Sequence, residues 1–306
     1  MNVADIVAYD GEGSRGAIFL ADGQLYSVLK SAKVSKAAVH AELGEVNITH
    51  AAKVAKIALG YDAIGHRFVF YNMETAYNAA SALFSNNDDN NVYNKAKLNR
   101  VTKKSDDPSD PSVVGEGEEV VFIGSGYNYN ATNMSAYTYD YALTIKGNRC
   151  KVYEFDVEGI TGRNTRSLVN VYEFDKPDHL TKDCHFASSA AFDGLLFYAS
   201  GSSVYRLDFK QSNPQEVTIA SLNSTAVQMK FARTSQIANS TNLPAYAGYE
   251  FDINRSLGIV CKIGDSMSEF VVLNLSASGN IESNSEHYMA QQTYNELGEI
   301  VDFVFI

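Results

Sequence analysis

Short apolar runs that end in tight, glycine-bearing turns constrain this chain more than any other feature. Ala17-Ile18-Phe19-Leu20 passes through Ala21-Asp22-Gly23 into Gln24-Leu25-Tyr26-Ser27-Val28-Leu29. Asp-Gly between two such runs predicts a hairpin, because a type I′ turn needs positive φ at both central residues. The pattern returns along the chain. Lys56–Tyr61 turns through Asp62 to Gly65 into Arg67–Tyr71, and Tyr141–Ile145 turns at Lys146-Gly147-Asn148 into Cys150–Phe155. Ala190-Ala191-Phe192 turns at Asp193-Gly194 into Leu195–Ala199, which passes Gly201-Ser202 into Val204–Phe209. Ile259–Ile263 turns near Gly264-Asp265 into Phe270–Leu273. There is little sustained helical periodicity between these runs.

Units of this kind, returning roughly every 40–75 residues, predict an all-β fold. The architecture they suit is a β-propeller of about five to seven four-stranded blades, as a full or a partial ring. A β-sandwich is the alternative. The recurring step from a turn into Leu25-Tyr26, Val152-Tyr153 and Val204-Tyr205 reads as a hairpin arm displayed outward. At the chain end, Glu299–Ile306 resembles Ala226–Phe231, a predicted inner strand. That likeness predicts a closing blade whose first strand is C-terminal and whose others come from an incomplete N-terminal blade.

Residues 1–306 read as one domain with one sizeable interruption. Ser85–Val113 is rich in Asn, Asp, Ser and Lys, carries Pro108 and Pro111, and reads as a long exposed loop. Ser31–Ala38 reads as a short polar connection.

Composition removes several function classes. A formal charge of −11 and a pI near 5.0 work against binding a polyanion, which needs a basic stripe. The pair Lys103-Lys104 is followed almost at once by Asp106 and Asp107, so nucleic acid is not an expected partner. No run approaches the ~20 apolar residues that span a bilayer. Met1–Asp5 has neither a basic n-region nor an apolar h-region. The expectation is either a cytoplasmic protein or one whose export signal has been removed. Cys150, Cys184 and Cys261 lie far apart and are odd in number, which excludes a disulfide framework and leaves room for one bridge. They read as three small core residues.

Several motifs carry chemistry elsewhere and a plainer meaning here. Gly11-Glu12-Gly13-Ser14-Arg15-Gly16 matches a dinucleotide fingerprint, but that fingerprint needs a helix to open where Ala17–Leu20 runs into an Asp-Gly turn. A glycine-rich hairpin loop fits instead. Gly264-Asp265-Ser266 with downstream His287 resembles a serine-hydrolase nucleophile block, yet Asn284 stands where that family places Asp. Asn86–Asn91 alternates oxygen ligands as calcium loops do, but Asn91 and Lys97 replace the required Gly and Glu. Cys184-His185 lacks partners at zinc-ligand spacing. No catalytic residue, metal or cofactor is therefore expected, and no carboxylate pair is singled out.

The aromatic pattern says more. The chain has 19 Tyr and no Trp. Tyrosines cluster in Gly126-Tyr127-Asn128-Tyr129-Asn130 and in Tyr137-Thr138-Tyr139-Asp140-Tyr141. On a strand, Tyr137, Tyr139 and Tyr141 point to one face. Tyr127, Asn128, Tyr129, Asn130, Tyr137 and Tyr139 are the candidate ligand-binding residues, with Gly126–Asn130 read as a loop whose rings stack on a sugar. The competing reading packs these rings between blades.

From Gly16 onward the chain resembles the propeller portion of the PKD-like family lipoproteins of Bacteroidetes. Leu20–Tyr26, Gly60–Phe68, Val121–Gly126 and Ala190–Arg206 carry the resemblance. It implies an exported accessory protein of the outer membrane or cell surface, beside a glycan-import system, binding glycan or outer-membrane transport proteins. The chain departs from the family pattern in having no lipobox cysteine and no PKD-like region before the blades. The leading expectation is a non-catalytic binding module. A protein-interaction scaffold and a propeller enzyme acting on carbohydrate are the alternatives.

Overall fold

In the computed structural model, the described residues are 3–10, 16–28, 34–36, 38–39, 43–54, 57–72, 97–100, 102–103, 114–130, 135–158, 165–189, 192–231, 255–263, 267–282, 291–294 and 303. They form five sheets and no α-helix, and no helix among them is long and apolar enough to cross a membrane.

Sheet one orders β1 (Val3–Asp10), β2 (Gly16–Ala21), β3 (Gln24–Val28) and β4 (Val34–Lys36) as neighbours. Sheet two contains β5 (Ala38–Val39), β6 (Ile48–Val54), β7 (Ile57–Asp62), β8 (Arg67–Asn72) and β9 (Lys97–Arg100). Sheet three contains β10 (Thr102–Lys103), β11 (Glu119–Asn130), β12 (Ser135–Lys146), β13 (Arg149–Glu158) and β14 (Thr165–Asp175). Sheet four is β15 (His185–Ala187), β16 (Leu195–Ser200), β17 (Ser203–Asp208) and β18 (Glu216–Ser221). Sheet five is β19 (Thr225–Phe231), β20 (Ser256–Ile263), β21 (Met267–Asn274) and β22 (Gln291–Tyr294).

Each sheet contains a four-stranded meander of sequence-consecutive strands, which is how propeller blades are built. The chain is all-β and β-propeller-like. Sheets two and three add a fifth strand in the same way. β5 pairs parallel with β9, and β10 pairs parallel with β14, so in both the chain touches the far edge before it lays down the meander.

Turn chemistry sets the registers. Asp22 and Gly23 have φ of 47° and 70°, the two positive values that a type I′ turn demands. They place Ala21 opposite Gln24 and Phe19 opposite Tyr26. Gly201 (φ 60°) does the same between β16 and β17, where Ser200 faces Ser203. The strands flanking the G-x-G-x-x-G stretch are antiparallel, with Asp10 opposite Gly16, and Gly16 opens a strand where a dinucleotide fingerprint needs a helix; Gly11–Arg15 lie outside the described residues. Ile263 and Met267 face each other across β20 and β21.

The chain divides into two compact units. The first is Met1–Tyr127 with Ala136–Lys146 and Val152–Val171, and the second is Asn128–Ser135 with Gly147–Lys151 and Tyr172–Ile306. In the first, Leu20, Leu25, Leu43, Val46, Ile48 and Val69 make one core cluster, and Phe68, Phe70, Ile123 and Phe155 belong to another. In the second, Phe192, Phe197, Phe231, Ile259, Val271 and Leu273 share a single core. The three cysteines are free and buried.

Four sequence expectations need correction. Tyr153 and Tyr205 are buried, not displayed, because their strands are packed on both faces. Ser85–Val113 is not one loop, since Lys97–Arg100 forms β9 beside β8 and Thr102–Lys103 forms β10. Ser31–Ala38 contains β4. Sheet one draws all four strands from Val3–Lys36, so the N-terminal blade is not short of a strand. Of Glu299–Ile306, only Phe303 lies among the described residues, and its ring meets Phe270 of β21 edge-on at 5.0 Å.

Candidate functional site

Sheet four carries a close array of aromatic and titratable side chains. Its register puts Phe186, Tyr198, Tyr205 and Thr218 in one row across the four strands. Tyr198 and Tyr205 stack at 5.3 Å and 20°, with Phe186 tilted beside Tyr198 at 6.1 Å. Glu216 sits two residues from Thr218 on β18, hence on the same face. Its Oε2 accepts the Tyr198 hydroxyl at 2.6 Å, and its Oε1 lies 2.6 Å from His179 Nδ1.

His179 comes from the connection between β14 and β15. Its imidazole lies on Tyr205 at 4.8 Å and 15°, so three rings, His179, Tyr205 and Tyr198, form a stack clamped by one carboxylate. The connection is anchored independently. Lys176 N donates to Asn148 O at 2.9 Å, and Leu180 is fully buried. The Cys184 thiol donates to His179 O at 3.2 Å and accepts from Thr181 N at 3.3 Å. His179 keeps 54% of its side chain exposed and Glu216 keeps 19%.

Burial, then the bond to Glu216 and its charge, push the Tyr198 phenol far up, so it stays a hydrogen-bond donor. Burial lowers His185. Burial raises the Cys150 thiol to about 12, against the opposing pull of Lys176 and Arg149. Burial, reinforced by Glu269, raises Cys261 to about 11. Both thiols are held in the protonated, unreactive form.

A second polar cluster lies in the first unit. Glu118 Oε2 accepts from Thr144 Oγ1 at 2.9 Å and from Tyr153 OH at 2.7 Å. Tyr153 packs against Phe68 at 5.3 Å. This carboxylate ties the approach to β11 onto β12 and β13.

The tyrosine-rich segment predicted to bind ligand is strand, not loop. Tyr127, Asn128, Tyr129 and Asn130 end β11, and Tyr137 and Tyr139 lie in β12. Their backbone is described and their side chains lie outside the described residues. Four residues separate β11 from β12, too few for a parallel crossover, so the two form an antiparallel hairpin. Tyr141 is buried, with its ring against Phe122 of the neighbouring strand in the same sheet at 6.0 Å. The Asn86–Asn91 segment and His287 lie outside the described residues, as do Asn284 and Gly264–Ser266. Among the described residues no group of three His, Cys, Asp or Glu is placed to hold a metal.

Sequence reasoning missed the sheet-four array, though part of it was signalled. A two-residue turn at Gly201-Ser202 forces Tyr198 opposite Tyr205. The paths that bring His179 and Glu216 there, 37 residues apart, leave no local trace.

No protein-family model and no curated protein sequence matches the chain. Solved structures are similar in fold. A functionally unknown protein from Desulfotomaculum acetoxidans DSM 771 is 12% identical, with a TM-score of 0.44 over 90% of this chain and 67% of that one. The Vanderwaltozyma polyspora Nup133 β-propeller domain is 10% identical, with a TM-score of 0.37 over 94% and 73%. AztD from Citrobacter koseri is 8% identical, with a TM-score of 0.34 over 91% and 84%. Likeness this remote says nothing about activity.

Proposed function

We propose that this protein is a non-catalytic binding module that recognises glycan on the long β11–β12 hairpin. The observation that carries this reading is strand length. β11 and β12 run 12 residues each, roughly 40 Å if fully extended, whereas no described strand outside sheet three exceeds eight. The segments packed into the core, around Val120–Gly124 and Asp140–Thr144, lie toward the Lys146–Arg149 turn. The remainder of the hairpin is the stretch rich in Tyr and Asn. Tyrosine faces beside amide groups suit sugar rings and their hydroxyls, at about 1 kcal/mol per stacked ring. Affinity at one such site is then modest, and avidity for repeating polymers matters.

Binding without turnover also agrees with the chemistry of Cys150, Cys261 and Tyr198. The two thiols are held protonated, and the phenol donates to the Glu216 carboxylate. Following the resemblance to the PKD-like lipoproteins, the module works at the outer membrane or cell surface beside a glycan-import system.

The test is a glycan array followed by titration with the parent and with Tyr127→Ala/Tyr129→Ala. The double variant should keep its melting temperature and lose at least tenfold in affinity, on the order of 1.4 kcal/mol. Equal binding by a folded variant would place the site elsewhere. Appearance of cleaved product would make the protein an enzyme.

A further inference from the structure

We propose a second sugar-binding site, the face of sheet four made by Tyr205 and Glu216 and backed by the buried Tyr198, which His179 occupies as a removable internal ligand. The proposal rests on the reading that this protein binds glycan. It concerns a place in the fold distant in sequence from the β11–β12 hairpin.

The imidazole makes the contacts a pyranose ring would make. It lies flat on the Tyr205 phenol at 4.8 Å and 15°, where the C–H face of a sugar stacks on an aromatic ring. Its Nδ1 meets Glu216 Oε1 at 2.6 Å, where a ring hydroxyl would donate to the carboxylate. The other Glu216 oxygen is fixed by Tyr198 OH at 2.6 Å, so the acceptor is held in place whether or not His179 is present. Thr218, the exposed cross-strand neighbour of Tyr205, adds a hydroxyl at the edge of the platform.

The cover is also of a kind that can leave. His179 keeps 54% of its side chain exposed while Tyr205 beneath it is 6% exposed, so the imidazole is an outer layer over a buried ring. Rotation about its own side-chain bonds clears the platform. The connection stays anchored through buried Leu180 and through Cys184, whose contacts to residue 179 and to Thr181 involve the backbone. The imidazole therefore competes with ligand intramolecularly and lowers apparent affinity by the fraction of time it is away.

The experiment uses the full chain, His179→Ala, and His179→Ala/Glu216→Gln, titrated with neutral gluco-, xylo- and manno-hexasaccharides. With no Trp in the chain, tyrosine emission reports directly on stacking, and calorimetry gives the affinity. If the imidazole leaves the platform about one-tenth of the time, His179→Ala should bind at least one sugar about tenfold more tightly than the parent. The added Glu216→Gln change should remove that gain. Binding by His179→Ala no tighter than by the parent overturns the proposal. Adding Tyr127→Ala/Tyr129→Ala to His179→Ala separates the two sites. A gain that persists belongs to sheet four even if the hairpin proposal fails, and a gain that vanishes belongs to the hairpin and overturns this one. Should His179→Ala not fold, His179→Gln, which gives up the ring and keeps a donor for Glu216, reads the same comparison. If neither folds, His179 is a structural staple and the proposal falls.

Discussion

Arg67 Nε lies 3.0 Å from Asp62 Oδ2 across the turn between β7 and β8, with the aspartate side chain wholly buried. The other carboxylate oxygen accepts Asn47 N at 2.9 Å and Ile64 N at 3.1 Å, and Arg67 also donates to the carbonyl of Leu43. One buried charge thus pins the turn to the segment that leads into β6. Asp62→Ala strands the guanidinium and two amides together, which should cost about 3–5 kcal/mol. Thermal unfolding should move down on the order of 10 °C. Asp62→Asn, which keeps an acceptor, should cost clearly less. Equal effects of the two changes would mean the charge is not what holds the turn.

The ring of Tyr141 occupies the space over Gly124, where an added Cβ would come within 2.6 Å of the ring carbon that bears the hydroxyl. Aromatic cover of a strand glycine is a way to pin register. Gly124→Ala should therefore destabilise by about 1–3 kcal/mol by overpacking, seen as a lower urea midpoint. Tyr141→Leu, which vacates the ring, should relieve the clash, so the double variant should be more stable than the sum of the two single losses. Strict additivity would rule out this contact.

Burial lowers both His185 and His50, the latter against the opposing charge of Glu119. With a folded-state pKa below the ordinary 6.5 or so, the unfolded chain binds more protons between the two values. The stability contributed by neutral imidazole is thus full above the unfolded value and lost as pH falls through the folded one. Urea midpoints should drop between pH 7.5 and 5.5 in the parent. They should drop less in His50→Gln/His185→Gln, and identical slopes would count against burial of these rings.

Thiols held near 12 and 11 should not react at neutral pH. Iodoacetamide at pH 7.5 should leave Cys150 and Cys261 unmodified in the folded protein and alkylate both in urea. Peptide mass spectrometry reads the outcome site by site. Rapid native labelling of either would show it to be exposed.

Much of the fold was legible because turns are local. Asp22-Gly23 fixes its hairpin through two dihedral angles that few other residue pairs adopt, and Gly201 fixes another. The outward reading of Tyr153 and Tyr205 failed because alternation reveals a face only when one side meets water, and Val152 and Val204 beside them are buried too. β9 escaped because Lys97-Leu98-Asn99-Arg100 has no apolar alternation, and a strand that adds to an edge needs only its backbone. The candidate tyrosines of β11 and β12 were visible as composition, while the length of the strands carrying them was not. The array on sheet four depends on residues brought together across 37 positions, which no local pattern encodes.

The parallel pairing of β5 with β9 brings Ala38 opposite Lys97, so residues 38–100 begin and end at one sheet edge. Neighbouring strands lie only about 4.8 Å apart, so the two ends of that stretch nearly meet. Segments with adjacent ends tolerate circular permutation and insertion into a host loop, since neither operation stretches the backbone. Sheet two is therefore clasped at its own two ends, while its core residues pack with Leu20 and Leu25 of sheet one and with Ile123 and Phe155 of sheet three. A cut made at Ile48, where the meander begins, would leave that clasp behind.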